Sequence, residues 1–287
     1  MRRDKRRNHN QVKSINSTFV AVSFNHTEII DQLYFEKQYQ FVAPHIALSN
    51  VIEYYWQLDL RGNCFVDDDF AEHIFANLNA SMVFNLGTAF TVNAHKQQQQ
   101  LKSSVLIGHH TETFTYKHFS NNFLTGIKFK PAGINLLFGI SSADLNNHVE
   151  DATYFLRNQF IEEQLLQANT FKEQTTLLDT VLLLQLNKQT HIPYKTQYVC
   201  NALHKVMQKT SFFSVDVLAQ QLHVTKRSLE RYFKQEIGVS PKQCLSILRF
   251  RQALKSYGLQ GSTADYEALG FYDFSHFMKD YKRFTTM

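Results

Sequence analysis

Lys226, Arg227, Glu230, Arg231 and Lys234 fall within nine consecutive residues, and Leu229 and Phe233 stand four apart among them. At helical spacing the five polar side chains share the face opposite that apolar pair. An arginine fork matches the two acceptors that guanine shows in the major groove, a carboxylate accepts from the amino group of cytosine, and lysine reaches phosphates. The face therefore suits base reading. A mixed-charge helix turned only to solvent shows the same pattern, and on these residues alone both readings stand.

Other chemistry finds less support. His45, His73, His95, His109, His110 and His118 are numerous enough for a cupin-type iron or zinc site. Adjacent His109 and His110 would point to opposite faces of a strand, however, whereas two ligands from one strand need i, i+2 spacing. No metal and no cofactor is expected. The sequence has no nucleophile elbow, no phosphate-cradling glycine loop and no His-Glu-x-x-His, so no catalytic residue is assigned and the chain reads as a non-enzyme. Cys64, Cys200 and Cys244 are odd in number and far apart, which argues against a disulfide framework and for a reducing cytoplasm.

The elements that must carry the polar face can be read from caps and periods. Ser214 is placed to cap a helix bearing Val217, Leu218 and Leu222, with the small Ala219 allowing a second helix to cross closely. Thr225 caps the next helix, expected over residues 226–235. Gly238-Val239-Ser240-Pro241 supplies a stop, a cap and a proline at the first position of a long amphipathic helix reaching about Tyr257. Upstream, short β-branched and aromatic runs predict strands over 51–60, 81–86, 89–94, 103–107, 112–119 and 123–129. The Lys96 to Gln100 run between two of them reads as a solvated hairpin loop. After Pro131 the period becomes helical, and the stretch Leu177–Leu186 is apolar round most of its circumference, suiting a core or a dimer seam. The fold class expected is α+β: a small cupin-like β-barrel or sandwich with following helices, then an all-α double helix-turn-helix joined by a long linker helix.

Composition and charge agree with two modules. The 287 residues are 44% hydrophobic with 10 Gly and 4 Pro, which excludes collagen-like and solvating disordered chains. The apolar run Val181–Leu184 is far shorter than the ~20 residues of a membrane span, so no membrane partner is expected. The formal charge of +5 divides unevenly: +5 over residues 1–13, −7 over 14–189 and +7 over 190–287. Residues 1–13 read as a basic disordered tail, 14–190 as a sensor and dimerisation domain, and 191–287 as the part that approaches a polyanion.

Two motifs then become specific. Leu218-Ala219, Thr225 through Leu229, Arg231, Phe233-Lys234 and Gly238 to Pro241 resemble the DNA-binding domain of the AraC/XylS family of bacterial transcription regulators. Gly270-Phe271, Asp273 to Phe277 and Lys279 to Lys282 are similar to that family's second signature, in the right order. The resemblance implies two helix-turn-helix units that each send a recognition helix into successive major-groove segments. Carried over by position, the DNA-facing residues are Lys226, Arg227, Glu230, Arg231 and Lys234 in the first unit and Phe274, Ser275, Met278 and Lys279 in the second. Asp273 would cap the second recognition helix, and Phe277 and Tyr281 would pack it. The chain departs from the family ahead of Gly270, where Asp265 and Tyr266 stand in place of an apolar residue and alanine. Lys130 to Ile134, Leu137 to Ile140 and Asp144-Leu145, with Tyr54-Tyr55-Trp56 and Phe84 to Gly87, resemble a β-rich sensor type without an assigned effector. The partners implied are double-stranded DNA, RNA polymerase, a small-molecule effector and a second copy of the chain, in a cytoplasmic, nucleoid-associated transcription factor acting as an activator. The alternative is a ligand-binding or dimerising protein whose degenerate second unit binds no specific DNA.

Overall fold

The computed structural model describes residues 38–62, 70–94, 97–156, 160–189, 191–208 and 214–285. The tail expected over residues 1–13, together with Cys64 and His95, lies outside them.

The N-terminal part alternates β-branched or aromatic residues with polar ones, and it folds as strands β1 (Tyr39–Val42), β2 (Ile52–Asp59), β3 (Phe70–Ile74), β4 (Ser81–Asn85), β5 (Phe90–Ala94), β6 (Gln97–Leu101), β7 (Val105–Ile107), β8 (Phe114–His118) and β9 (Phe123–Phe129). A tenth strand, β10 (Val149–Asp151), follows helix α1 (Gly133–Phe138) and a 3-10 turn at Ser142–Leu145. One sheet has the order β1-β2-β9-β4-β7-β10 and the other β3-β8-β5-β6, with every pairing antiparallel. Of the barrel or sandwich expected, the structure takes two open sheets, not closed into a barrel. β1 and β10 end one sheet and β3 and β6 the other.

Gln97 to Gln100, expected as a hairpin loop, instead pair along β5 from Thr91 to Ala94. Their side chains are exposed, so the strand is held by ladder hydrogen bonds rather than burial, and polar edge residues satisfy that without an apolar signature.

Period-2 alternation splits the six-stranded sheet. Val83, Val105, Ile107 and Leu124 face the four-stranded sheet, meeting Phe90, Val92, Phe114 and Tyr116 in one core. Met82, Phe84, Leu106, Ile127 and Phe129 face the other way, onto α1, α2 (Thr153–Leu156), α3 (Ile161–Gln167) and α4 (Phe171–Lys188). Gly126 lies opposite Trp56 in the register, and a Cβ there would fall 2.0 Å from the indole, so only glycine lets the ring lie flat on the strand. Buried Gln174 of α4 is bonded through both ends of its amide: its carbonyl accepts from Gln57 and Thr125, each at 2.8 Å, and its NH2 donates to the Leu165 carbonyl.

The C-terminal part is helical: α5 (Tyr194–Gln208), α6 (Val215–Gln221), α7 (Lys226–Glu236), α8 (Pro241–Gln260) and α9 (Phe274–Thr285). Its core includes Leu203, Leu218, Leu229, Phe233, Phe250 and Phe277, and Phe75, Ala76, Leu78 and Ala132 of the β-rich part are buried in that same core. Among the described residues no helix is long and apolar enough to cross a membrane.

Candidate nucleic-acid interface

The first helix-turn-helix is built as its caps require. Ser214 accepts from the Val217 amide at 3.2 Å, and Thr225 from the Ser228 amide at 3.1 Å. Between α6 and α7, His223 takes a left-handed φ of 53°, which closes the turn so that the Val224 amide reaches the Ala219 carbonyl at 3.0 Å. Ala219 is buried where the two helices cross. Leu229, Tyr232 and Phe233 face the core, which leaves Lys226, Arg227, Glu230, Arg231 and Lys234 exposed along one side of α7.

These five do not stand equally. Lys226 forms an ion pair with Asp216 of α6, both side chains more than half exposed, so it bridges the two helices. Arg231 lies over the Tyr232 ring at 5.4 Å, and Tyr232 stacks on Tyr198 of α5. That places the exposed Arg231 guanidinium over a buried aromatic ring that holds its position. Arg227, Glu230 and Lys234 are exposed.

Ser240 caps α8 by accepting from the Gln243 amide at 3.1 Å, with Pro241 at the first helical position. The helix runs to Gln260, three residues past the expected end at Tyr257, and its 20 residues make an arm of about 30 Å.

Beyond α8 the second unit departs from the first. A 3-10 turn at Gly261–Thr263 and non-helical turns over 264–272 occupy the place of the first helix of a helix-turn-helix. Tyr266, the departure noted in the sequence, is the reason: its ring is buried against Phe274 at 5.3 Å and Phe277 at 5.1 Å, and its hydroxyl donates to the Gly261 carbonyl at 2.6 Å. Arg249 of α8 fastens α9 from behind. Its guanidinium donates to Asp280 at 2.9 Å and to the Gly270 carbonyl at 3.2 Å, and lies 4.4 Å over the Phe271 ring. Asp273 accepts from the His276 amide at 2.6 Å and caps α9, and Phe277 and Tyr281 are buried.

Of the four residues carried over to α9, Ser275 and Lys279 are exposed, whereas Phe274 and Met278 are half-buried against the helical core. The sequence reading passed over Tyr272, which is 82% exposed just ahead of the α9 cap. An aromatic standing outside the apolar period was its available signal.

Among the described residues no group of three His, Cys, Asp or Glu could hold a metal ion. His109 and His110 are both buried, and His118 lies 3.3 Å from Glu72. Burial holds the His109 imidazole down at about 4, only partly offset by its hydrogen bond with the Ile237 backbone.

Residues 40–151 match the family described as a domain of unknown function (DUF6597), and residues 218–287 match the family described as a helix-turn-helix domain. No curated protein is similar to the chain at a significant level. Among solved structures, ToxT from Vibrio cholerae is similar at 12% identity over 88% of this chain and 96% of that one, with a TM-score of 0.44. Unsaturated fatty acid bound wild-type ToxT from V. cholerae strain SCE256 gives 10% identity, 88% and 93% coverage and 0.43. The AraC-like transcriptional activator CuxR gives 11%, 79% and 90%, and 0.30. The helix-turn-helix match falls on the capped α6–α7 pair and the α8–α9 arm that the two signatures mark, so residues 218–287 form a helix-turn-helix domain of the AraC type, with a domain of unknown function ahead of it.

Proposed function

We propose that the protein binds DNA sequence-specifically through α7 and α9, which enter successive major-groove segments on one face of the duplex. The observation that supports this best is the first unit's geometry: α7 is capped, its apolar side is locked in the core, and Arg227, Glu230, Arg231 and Lys234 are exposed together. In this reading Arg227 and Arg231 contact base edges, Glu230 accepts from cytosine, and Lys226, Lys234 and Lys279 hold phosphates. Ser275 reads from α9, with Phe274 and Met278 giving at most edge contacts to thymine methyls.

The working units divide near residue 190, and the β-rich part acts as the sensor. Its cavity between the two sheets is lined by Tyr39, Tyr54, Trp56, Glu72, Tyr116 and His118; at about 60 Å³ it has room for about two waters, so a small-molecule effector enters there only if the sheets part. The exposed Leu184 on α4, at 59%, serves a contact with a second copy. RNA polymerase is the partner of the DNA-bound form, in the cytoplasm and at the nucleoid.

Selection from a random duplex pool is the test. An enriched motif for the intact chain, bound more tightly than random duplex across a salt titration, is expected. Equal affinity for both at every salt concentration would instead favour a ligand-binding or dimerising protein with a degenerate second unit, a reading that the missing helix at 264–272 recommends.

A further inference from the structure

We propose that Asn135, in α1 of the β-rich part, is a positioning residue for the first recognition helix: it caps the C-terminal end of α7 and sets the angle at which Arg227 and Arg231 meet DNA. This rests on α7 reading bases, as proposed above.

The last carbonyls of a helix have no donor within it. At the end of α7 the work is divided. The chain's own Ile237 and Gly238 amides satisfy Phe233 and Lys234. The next two carbonyls are satisfied from the β-rich part: Ser141 donates to the Gln235 carbonyl at 2.6 Å, and the Asn135 amide donates to the Glu236 carbonyl at 3.0 Å. The same amide lies 3.3 Å from the Glu236 carboxylate, which also accepts from Thr196 of α5 at 2.8 Å. Asn135 is itself fixed, being 4% exposed with its carbonyl accepting from the Ser142 hydroxyl. Its rotamer is therefore held from within the β-rich part as well as by α7.

Gly238 closes the clamp. Its φ is +83°, and a Cβ there would lie 3.1 Å from Ala143, so the turn after α7 must be both left-handed and bare to let the Ser142–Leu145 turn approach. Arg227 stands nine residues ahead of Glu236, about 14 Å along the helix. A tilt of about 10° at the clamped end then moves Arg227 by ~2 Å, more than a bidentate hydrogen bond tolerates.

The experiment uses the full chain, the motif enriched by the wild type and a random duplex at the same salt concentration. Asn135→Asp sets a carboxylate against the Glu236 carboxylate and the helix's last carbonyls. Operator affinity is expected to fall about tenfold while random-duplex affinity and salt slope stay as in the wild type, because phosphate contacts survive a tilt that base contacts do not. Adding Glu236→Gln to Asn135→Asp should recover part of the loss by removing the like charge. Ser141→Ala, at a more exposed position, gives a smaller loss of the same kind and keeps the test open should Asn135→Asp not fold. Wild-type discrimination in Asn135→Asp and Ser141→Ala, or an equal loss on both duplexes accompanied by a lower melting temperature, overturns the proposal. A wild-type chain that enriches no motif overturns the DNA-reading function first, whatever the variants do.

Discussion

Arg231 and Lys234 sit one turn apart on α7 and should fail differently. Arg231→Ala removes an exposed guanidinium that lies over the Tyr232 ring, and operator affinity is expected to drop by about 1–3 kcal/mol with relaxed preference at one position of the selected motif. Lys234→Ala should weaken operator and random duplexes alike and reduce the salt slope by about 1, seen by titrating salt at each. His109 offers a different residue-scale test. Its folded value near 4 lies below the ordinary 6.5, so between these the unfolded chain takes up a proton that the folded chain refuses. Stability from this residue is complete above about pH 6.5 and is lost as pH falls toward 4, by up to about 3 kcal/mol. Denaturant melts at pH 7.5 and 5 should show the loss, and His109→Gln should flatten that part of the pH profile.

The helix caps were legible because each obeys a local rule. A hydroxyl placed three residues before an amide needs no distant partner, and Ser214, Thr225 and Ser240 all cap as spacing predicts. Thr225→Ala is expected to cost about 1 kcal/mol of stability in thermal melts, with a frayed start to α7. The second unit was less legible. Tyr266 reads as an obstacle to a close helix crossing, and the structure resolves this by dispensing with the helix and burying the ring. Besides its buried rings, α9 is held by Arg249, whose partner Asp280 lies 31 residues away, a pairing that no local pattern marks. Arg249→Ala should destabilise the second unit by about 2 kcal/mol, since it removes donors to Asp280 and Gly270 and strands a mostly buried carboxylate. Hydrogen exchange on α9 would report this as faster exchange there than on α7. Strand β6 belongs to the same scale, because ladder pairing leaves no mark in a run of glutamines.

At the scale of the molecule, the β-rich and helical parts share a core. Phe75 packs 6.5 Å from Phe250 of α8 and 6.4 Å from Tyr281 of α9, Thr113 donates to the Phe284 carbonyl at 3.1 Å, and Asn135 and Ser141 grip α7. Both α7 and α9 are thus touched by the part that carries the inter-sheet cavity. Calorimetry of the full chain is expected to give one cooperative transition. Phe75→Ala, costing about 3–5 kcal/mol, should split it in two by removing the wedge between the parts. An acidic part joined to a basic one fits the same arrangement, since only the helical part needs to approach a polyanion.

The α+β division, most strands and helices, the caps and the basic face of α7 are legible in the residue order alone, since they follow from period, propensity and hydrogen bonds between near neighbours. Open sheets, the half-inward turn of Phe274 and Met278, the Arg249 anchor of α9 and the Asn135 grip on the end of α7 emerge only once the chain is packed. Each of these depends on groups far apart in the chain, whose meeting is set by how whole faces pack.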